Sequence, residues 1–331
     1  MLPPTITWTD GRIELVDQTA LPELRTVTVD TVDGLVDAIR RLVVRGAPAL
    51  GAAGALGVAL AARTEPSTLA AAAERIADAR PTAVNLRVGV RRALAAADGG
   101  PDAVLAAARE VLAEDVAACR GLAERGADLL LDLCGDRPLG LHTHCNAGAL
   151  ACVEWGTALG IVRTLHERGR VAHVVADETR PLLQGARITA VELAAIGVPH
   201  HVVVDGAGPS IIARGLVDAV VVGADRVAAN GDVANKVGTY PLALAAARAG
   251  IPFVVAIPES TFDPATPDGG AIQIEDRDGD EVLVVGGRRT APADTGAWNP
   301  AFDVTPFDLV TAVVTEERVW RPAAEPARLH G

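Results

Sequence analysis

Five short apolar segments in the second half of the chain constrain its fold more than any other feature of the sequence. They are rich in β-branched residues, and most of them are separated by stretches with helical periodicity: 139–145, 171–176, 201–205, 217–222 and 252–257. Strands that alternate with helices imply right-handed βαβ crossovers and a parallel sheet. Residues 219–222 are apolar on both faces, as expected for a strand that helices cover on both sides.

Helical patterns dominate the first half. Asp10-Gly11 lies between two strand patterns, 5–8 and 12–16, and predicts a hairpin. Helices are predicted over 32–44, 48–63, 67–79, 84–97 and 101–133, the last with a break or kink near Gly121. We therefore predict an α/β protein: residues 1–137 form a hairpin and mainly helical N-terminal domain, and 138–331 a Rossmann-like, parallel-sheet catalytic domain. Near the end, 281–285 suggests an edge strand and 306–315 a closing helix.

Charge and cysteine content argue against several classes of protein. With 42 acidic and 30 basic residues the net charge is −12, which opposes general affinity for nucleic acid or an anionic membrane. An anionic substrate would need locally concentrated Arg and Lys. The four cysteines, at 119, 134, 145 and 152, form no zinc-like pair of pairs, and no secretory signal opens the sequence. A reduced, cytoplasmic location is the expectation.

The longest apolar stretch, 46–62, consists mainly of Ala and Gly. It is short for a membrane span and predicts a buried helix instead. Gly51, Gly54 and Gly57 recur at every third residue, so a neighbouring helix or a ligand can approach this segment closely.

The segment 221–240 places one carboxylate where parallel α/β sheets bind ligands. An apolar strand ends at Gly223 and Asp225 follows, in the region where such sheets form crevices. Asn235 and Lys236 come just before or within the first turn of a predicted helix, whose free N–H groups would suit an anionic ligand. From this segment alone, an Asx-type turn explains Asp225 as well as catalysis does.

Cys145 ends another predicted strand, in the run 142–148 (HTHCNAG). A cysteine at the start of a helix has its thiolate stabilised by the helix dipole, although a buried and inert cysteine fits the pattern equally well. His142 and His144 alternate onto one face of the strand and Cys145 onto the other. One metal site that uses all three is therefore not expected, and we predict no metal.

Two further segments combine polar side chains with a helix start. In 177–187, Gln184 and Gly185 are expected to begin a helix and are the better ligand candidates, whereas the charged residues are explained equally well by ion pairs within a solvated loop. In 45–48, the Arg45 guanidinium and the N–H groups that follow it suit a phosphate.

These motifs together resemble the methylthioribose-1-phosphate isomerases, a family related to the regulatory subunits of translation initiation factor 2B and to ribose-1,5-bisphosphate isomerase. The resemblance runs from Trp8 to Pro306 and is most specific at 45–51 (RGAPALG), 80–86 (RPTAVNL), 143–148 (THCNAG), 178–187 (ETRPLLQGAR) and 223–240. The segment 80–86 is similar to the isomerases rather than to the initiation-factor subunits.

The resemblance implies an aldose–ketose isomerase that converts 5-methylthioribose 1-phosphate to 5-methylthioribulose 1-phosphate in methionine salvage, as a homodimer and without a cofactor. Cys145 matches the family's catalytic cysteine and Asp225 its general acid/base. Its substrate-binding residues match Arg45, Gly46, Ala47, Arg80, Gln184, Asn235 and Lys236. The chain departs from the family at Arg87-Val88-Gly89, where aromatic residues are usual, and at Val191, where Trp is usual.

Three alternatives remain open at this stage. The first is an isomerase of a related sugar 1-phosphate, such as ribose 1,5-bisphosphate or a 5-deoxyribose 1-phosphate. Its substrate would differ from methylthioribose 1-phosphate at C5 of the sugar, and its pocket would differ there too. A sugar-phosphate or nucleotide sensor of the same superfamily would have no evident need for both Cys145 and Asp225. A Rossmann dehydrogenase is disfavoured because no G-x-G-x-x-G follows a predicted strand.

Overall fold

The chain begins with the predicted hairpin. In the computed structural model, which describes residues 2–81 and 83–323, β1 (Ile6–Thr9) and β2 (Arg12–Val16) pair antiparallel. Asp10 and Gly11 both have positive φ, 49° and 82°, as a two-residue turn of the favoured hand requires. A third strand, β3 (Thr26–Val29), which the sequence pattern did not reveal, pairs with β2.

Five helices follow, close to their predicted bounds: α1 (Val32–Arg40), α2 (Ala47–Thr64), α3 (Leu69–Ala77), α4 (Val84–Leu94) and α5 (Gly100–Cys134). The last runs unbroken through Gly121, so the predicted break is not found. Within the described residues, α2 alone has the length and apolarity to cross a membrane. Because 72% of it is buried inside the protein, α2 is better explained as a core helix.

The glycines of α2 bring α4 into backbone contact with it. A Cβ at Gly54 would lie 2.5 Å from the Leu86 carbonyl oxygen, and one at Gly89 would lie 1.9 Å from the Gly51 carbonyl oxygen. Neither position has room for a side chain. Gly89 therefore has a packing role.

Contacts divide the chain into two units. Unit 1 comprises residues 1–120 and 147–160, and unit 2 comprises 121–146 and 161–331. The division falls inside α5 and assigns the segment after Asn146 to unit 1. The domain boundary predicted between residues 137 and 138 stays a prediction.

Unit 2 contains a seven-stranded sheet in the order β16-β15-β10-β7-β4-β5-β6. Its members are β4 (Leu139–Thr143), β5 (Val171–Asp177), β6 (His200–Val203), β7 (Ala219–Val222), β10 (Phe253–Ala256), β15 (Ala312–Val314) and β16 (Val319–Trp320). All pairs are parallel except β15 with β16. The fold is thus a mixed α/β fold with a large, mainly parallel sheet.

A smaller sheet of unit 2 has the order β11-β8-β9-β14: β8 (Arg226–Ala228), β9 (Val233–Lys236), β11 (Phe262–Asp263) and β14 (Phe302–Thr305). The α-helices that follow α5 are α6 (Ala158–Glu167), α7 (Ala190–Ala195), α8 (Gly208–Ala213), α9 (Thr239–Ala249) and α10 (Asp280–Leu283). The first of them, α6, begins at the end of unit 1. A two-stranded ribbon, β12 (Val284–Val285) with β13 (Arg288–Arg289), completes the elements described here.

Two predictions near the end of the chain are wrong. Residues 306–315 do not form a closing helix, because the apolar, β-branched run of β15 pairs in parallel with β10 and joins the main sheet. Most of the predicted edge strand over 281–285 is the short helix α10, and only Val284 and Val285 are extended.

Candidate active site

The order of the main sheet reverses beside β4. The chain proceeds from β4 outward to β5 and β6, then returns to β7 on the other side of β4. Leu141 of β4 lies opposite Ala219 of β7, so these strands are direct neighbours. Carboxyl ends at such a switch point diverge and leave a crevice for a ligand. Cys145 follows β4 and Asp225 follows β7, so unit 2 places both at this switch point.

Cys145 lies in a tight loop rather than at a helix start. Its φ is +62°, and the next helical turn begins only at Ala149, so the predicted helix start at Cys145 is not found. Its N–H donates to Thr179 Oγ1 at 2.9 Å, and its carbonyl accepts from Thr189 Oγ1 at 2.6 Å. These bonds fix the backbone on both sides of a half-buried thiol.

Asp225 lies between β7 and β8 with its side chain exposed. Its N–H donates to the Ala234 carbonyl at 3.0 Å, which fixes it beside the strand that carries Asn235 and Lys236. A carboxylate held at its backbone and open to solvent can exchange protons with a bound molecule.

Asn235 and Lys236 belong to β9 and precede the helix α9. The Asn235 amide donates to Thr239 Oγ1 at 2.9 Å. The Lys236 ammonium donates to the Ala301 carbonyl at 2.6 Å and lies 4.7 Å from the centre of the Phe302 ring. Pairing with β14 sets this geometry, since Phe302 lies opposite Lys236 in the ladder.

Asp303 occupies the start of α9, where the sequence pattern predicts free N–H groups. Gly238 N–H donates to Asp303 Oδ2 at 2.7 Å, and Tyr240 N–H donates to the same carboxylate at 3.2 Å. Burial raises the pKa of Asp303 and outweighs these bonds. The prediction of free N–H groups here is wrong, because Asp303 accepts from them. Asp303 belongs to β14, which lies far along the chain from α9, so the local sequence does not reveal this contact.

Gln184 lies immediately before a short π-helix, Gly185–Thr189, close to its predicted place at a helix start. Its side chain is buried, and its Oε1 has no hydrogen-bond partner among the described residues. A Cβ at Gly185 would lie 1.6 Å from the Asp177 carbonyl oxygen, so the turn after Gln184 packs directly onto the end of β5. A buried amide oxygen of this kind is suited to accept from a ligand.

A buried network that the sequence did not reveal lies at the same edge. His142 Nε2 and His144 Nδ1 contact the two oxygens of Asp177 at 2.9 and 2.8 Å, and all three side chains are at most 1% exposed. Burial alone would raise the pKa of Asp177, but hydrogen bonds from the two rings and their charges outweigh it and lower the pKa. The alternation of the two histidines was the available signal; it indicated the shared face but not the partner.

Two groups of side chains have the composition of a metal site. The ligand atoms of His144, Asp177 and Asp205 lie within 4.8 Å of one another in unit 2. However, Asp177 bonds both histidines, and Asp205 accepts from the N–H groups of Thr179 and Arg180 at 2.7 Å. In unit 1, Asp115, Cys119 and Cys152 satisfy the same distance. The prediction of no metal stays a prediction.

The other four predicted site residues belong to unit 1. Arg45 Nε donates to Gln18 Oε1 at 3.2 Å, and Gln18 Nε2 donates to the Leu150 carbonyl at 2.7 Å. Gly46, with φ +93°, precedes α2, which begins at Ala47; a Cβ at Gly46 would lie 2.4 Å from the Ala151 carbonyl oxygen. Arg80 is half-buried ahead of α4, and Thr82 of the same motif lies outside the described residues. Their substrate-binding roles stay predictions.

Fold and site define a mixed α/β protein with polar residues gathered at a switch point of its sheet. The family model described as the initiation factor 2 subunit family matches residues 43–322, and the chain belongs to this family.

Several proteins similar to this chain are named as sugar-phosphate isomerases. The chain is 54% identical to a probable bifunctional methylthioribose-1-phosphate isomerase/methylthioribulose-1-phosphate dehydratase of Nocardia farcinica, over 97% of this chain but 60% of that relative's length. It is 47% identical to the methylthioribose-1-phosphate isomerase of a Synechococcus species, over 96% of this chain and 94% of the relative. It is 48% identical to the 5-deoxyribose 1-phosphate isomerase of Moorella thermoacetica, with the same two coverages.

Two solved structures are similar over almost the whole chain. The 5-methylthioribose 1-phosphate isomerase of Pyrococcus horikoshii has a TM-score of 0.91 at 38% identity, with coverage of 97% of this chain and 93% of that one. A structure named as the delta subunit of translation initiation factor eIF-2B from A. fulgidus has a TM-score of 0.89 at 42% identity, with coverage of 98% and 97%.

Proposed function

We propose that this chain is an aldose–ketose isomerase that converts 5-methylthioribose 1-phosphate to 5-methylthioribulose 1-phosphate, a step of methionine salvage. The observation that carries the proposal is the placement of Cys145 and Asp225 after neighbouring parallel strands, β4 and β7. The names of relatives at 47% and 54% identity support the substrate.

The substrate cannot open its ring simply to an aldehyde, because C1 carries a phosphate ester. In the reaction, the bond from C1 to the ring oxygen breaks, a hydrogen leaves C2 and one arrives at C1. The C2 hydroxyl proton is lost, and the ring oxygen gains a proton. A proton route through an enolate-type intermediate and a hydride shift both satisfy this balance. In the proposal, Asp225 exchanges a proton with the ring oxygen or the C2 oxygen, and Cys145 handles a proton or stabilises charge near C1 and C2.

Arg45, Arg80 and Lys236 are the proposed phosphate ligands and would reconcile an anionic substrate with a chain of net charge −12. Gly46, Ala47, Gln184 and Asn235 are the other proposed binding residues. The buried Oε1 of Gln184 supports its role, because a sugar hydroxyl would give it a donor.

The proposal includes the finer assignments made from the sequence. The chain would function in the cytoplasm as a homodimer, with a Rossmann-like catalytic domain and a mainly helical N-terminal domain. It would use no cofactor and bind neither nucleic acid nor a membrane, in keeping with its negative charge.

The direct test is to incubate the protein with 5-methylthioribose 1-phosphate and follow formation of the ketose by NMR. Asp225→Asn should lower kcat by about 10²–10⁴-fold, the usual contribution of a positioned acid/base. Cys145→Ser should slow the chemistry and leave binding largely intact, whereas Cys134→Ser should match the wild type. Near-normal turnover in Asp225→Asn would contradict its role; loss of binding alone in Cys145→Ser would make Cys145 structural.

A second candidate is isomerisation of 5-deoxyribose 1-phosphate, which the Moorella thermoacetica relative's name favours. The two substrates share C1 and C2 and differ only in the methylthio group on C5, so the same residues would serve both. Competition between them in one reaction, followed by NMR, gives the ratio of their kcat/KM values. A ratio well above one for the methylthio sugar supports the first proposal, and the reverse supports the second. Binding of either compound without turnover would instead indicate a sensor.

A further inference from the structure

Hydrogen bonds of one buried histidine join the loop that contains Cys145 to the segment that carries Asn235 and Lys236. His144, the residue before Cys145, contacts Asp177 Oδ2 through Nδ1 at 2.8 Å. Its other nitrogen, Nε2, contacts the carbonyl oxygen of Val237 at 2.8 Å. One ring thus bridges the carboxyl end of β5 and the residue that follows Lys236.

Both nitrogens of His144 face oxygen atoms that accept. The Val237 carbonyl has no proton to give, so Nε2–H must donate to it, and a carboxylate at Asp177 requires a donor at Nδ1 as well. The ring therefore lies between two fixed oxygen atoms, and Asp177 is itself nearly inaccessible to solvent.

The ring also fills the space beside Gly238. A Cβ at this position would lie 2.6 Å from His144 Cε1, and the φ of Gly238 is +107°. Asp303 accepts from the N–H of the same glycine at 2.7 Å. The backbone between Lys236 and α9 is therefore held by His144 at Val237 and by Asp303 at Gly238.

Asp177 reaches Cys145 by a second route through its backbone. Its carbonyl accepts from Thr179 Oγ1 at 3.0 Å, and that hydroxyl oxygen accepts from the Cys145 N–H at 2.9 Å. The side chain of Asp177 thus holds the residue before the thiol, and its main chain holds the residue that carries the thiol.

We propose that His144 and Asp177 are positioning residues that lock the Cys145 loop and the Asn235–Val237 segment into one arrangement. The inference rests on the proposed function, in which one segment supplies chemistry and the other binds substrate. A displacement of about 1 Å in such a site can cost about 10²-fold in rate. The link therefore has a consequence for turnover that is separate from its contribution to stability.

Two substitutions of His144 separate its two bonds. His144→Asn places an amide nitrogen near the position of Nδ1, so it can keep the bond to Asp177 and lose the bond to Val237. His144→Gln reaches the position of Nε2, so it can keep the bond to Val237 and lose the bond to Asp177. His142→Gln is the matched comparison, because His142 contacts Asp177 but not Val237. His201→Ala, at an exposed position of β6, is the control for loss of a histidine elsewhere.

The first readout is steady-state kinetics on 5-methylthioribose 1-phosphate, with urea unfolding as a check on stability. Both His144 variants should lose about 10- to 100-fold in kcat. His142→Gln should lose less and His201→Ala nothing. Variants that lose stability but keep kcat would show that these residues have a structural role only. Loss of kcat in only one His144 variant would also overturn the proposal, because the link needs the bonds to both Asp177 and Val237. Should His144→Asn fail to fold, Gly238→Ala pushes the ring aside while both bonding groups remain, and unchanged kcat there would overturn the proposal.

The second readout does not depend on the reaction. Alkylation of Cys145 by iodoacetamide, followed by mass spectrometry in a Cys134→Ser background, reports the setting of the thiol. Both His144 variants should alkylate at a rate different from that of the wild type, and His201→Ala at the same rate. If the wild type turns over no sugar 1-phosphate while the alkylation rates change, the proposed function fails and the positioning role stands. If the wild type is active while the His144 variants match it in kcat and alkylation, the positioning role fails alone.

Discussion

The α2–α4 contact of unit 1 and the carboxyl edge of the main sheet in unit 2 are both closely packed, but by opposite means. In α2 and α4, side chains are absent where the backbones meet, at Gly51, Gly54 and Gly89. At the sheet edge, polar side chains are buried and almost completely hydrogen-bonded, with Asp177 between His142 and His144. The first arrangement requires only small residues, whereas the second requires particular donors opposite particular acceptors.

Because of this difference, we expect the two regions to respond differently to substitution. An apolar contact that lacks space is strained by any added atom but leaves no polar group without a partner. A buried polar network tolerates little change of chemistry, because removal of one member leaves the others desolvated and unpaired. The comparison is sharpened by substitutions that alter one kind of contact at a time.

The largest effect is expected from Asp177→Ala. It leaves His142 Nε2 and His144 Nδ1 buried without their carboxylate partner, so unfolding should require about 3–5 kcal/mol less free energy. Urea unfolding followed by circular dichroism measures this difference. The control is Asp136→Ala, which removes a carboxylate that pairs with Arg170 in solvent and should cost far less. Equal losses in the two variants would contradict the distinction between buried and exposed carboxylates.

Gly89→Ala should be next in size. The new methyl group would lie 1.9 Å from the Gly51 carbonyl oxygen, so α2 and α4 must separate, at a cost of about 1–3 kcal/mol in the free energy of unfolding. Gly121→Ala is the matched control, since its Cβ would meet Glu316 only at an ordinary 3.6 Å. That substitution should stabilise α5 by up to about 1 kcal/mol through helix propensity. A Gly89→Ala protein as stable as the wild type would show that α2 and α4 are not tightly apposed.

Local pattern was sufficient to predict much of the fold. The hairpin, the helices α1–α5 and the strands β4–β7 and β10 follow from hydrophobic periodicity and turn residues within short windows. The spacing of Gly51, Gly54 and Gly57 likewise predicted that a helix or a ligand could approach α2 closely, and α4 lies against the first two of these glycines. By contrast, 306–315 was assigned to a helix because its strand β15 depends on a parallel partner, β10, that is distant in sequence.

The candidate site was predictable only in part, for the same reason. Residues that follow strands, such as Cys145 and Asp225, could be recognised from the sequence alone as candidates. Their surroundings could not, because Asp177, Thr179 and Asp303 come from other parts of the chain, at β5, just after β5 and on β14. No local pattern shows that the N–H groups at the start of α9 are bonded to a carboxylate of β14. The resemblance to known isomerases supplied the proposed roles that local pattern left open.

The pH dependence of the free energy of unfolding should also report on Asp177 in the buried network. Since the folded pKa of Asp177 is lowered, its contribution to stability is present above its unfolded pKa, about 3.9, and is lost as the pH falls through the folded pKa. Asp303, whose folded pKa is raised by burial, contributes in the opposite sense, with stability lost as the pH rises through its folded pKa. Urea midpoints of the wild type and Asp177→Asn should therefore converge as the pH falls below about 4. A constant difference from pH 3 to 7 would contradict the lowered pKa.

The smallest effect is expected from Arg87→Gln, and it completes the comparison. The Arg87 guanidinium pairs with Glu74 at 3.0 Å and with Asp78 at 2.5 Å on the surface of unit 1. Because its side chain is 42% exposed, water and salt screen these pairs, and the urea midpoint should change by little more than its experimental error. The same measurement at high salt should bring the two proteins still closer together. A loss comparable to that of Gly89→Ala would show that α4 is held in place by its charged face as well as by its glycine, and the contrast between apolar packing and polar networks would then fail within unit 1 itself.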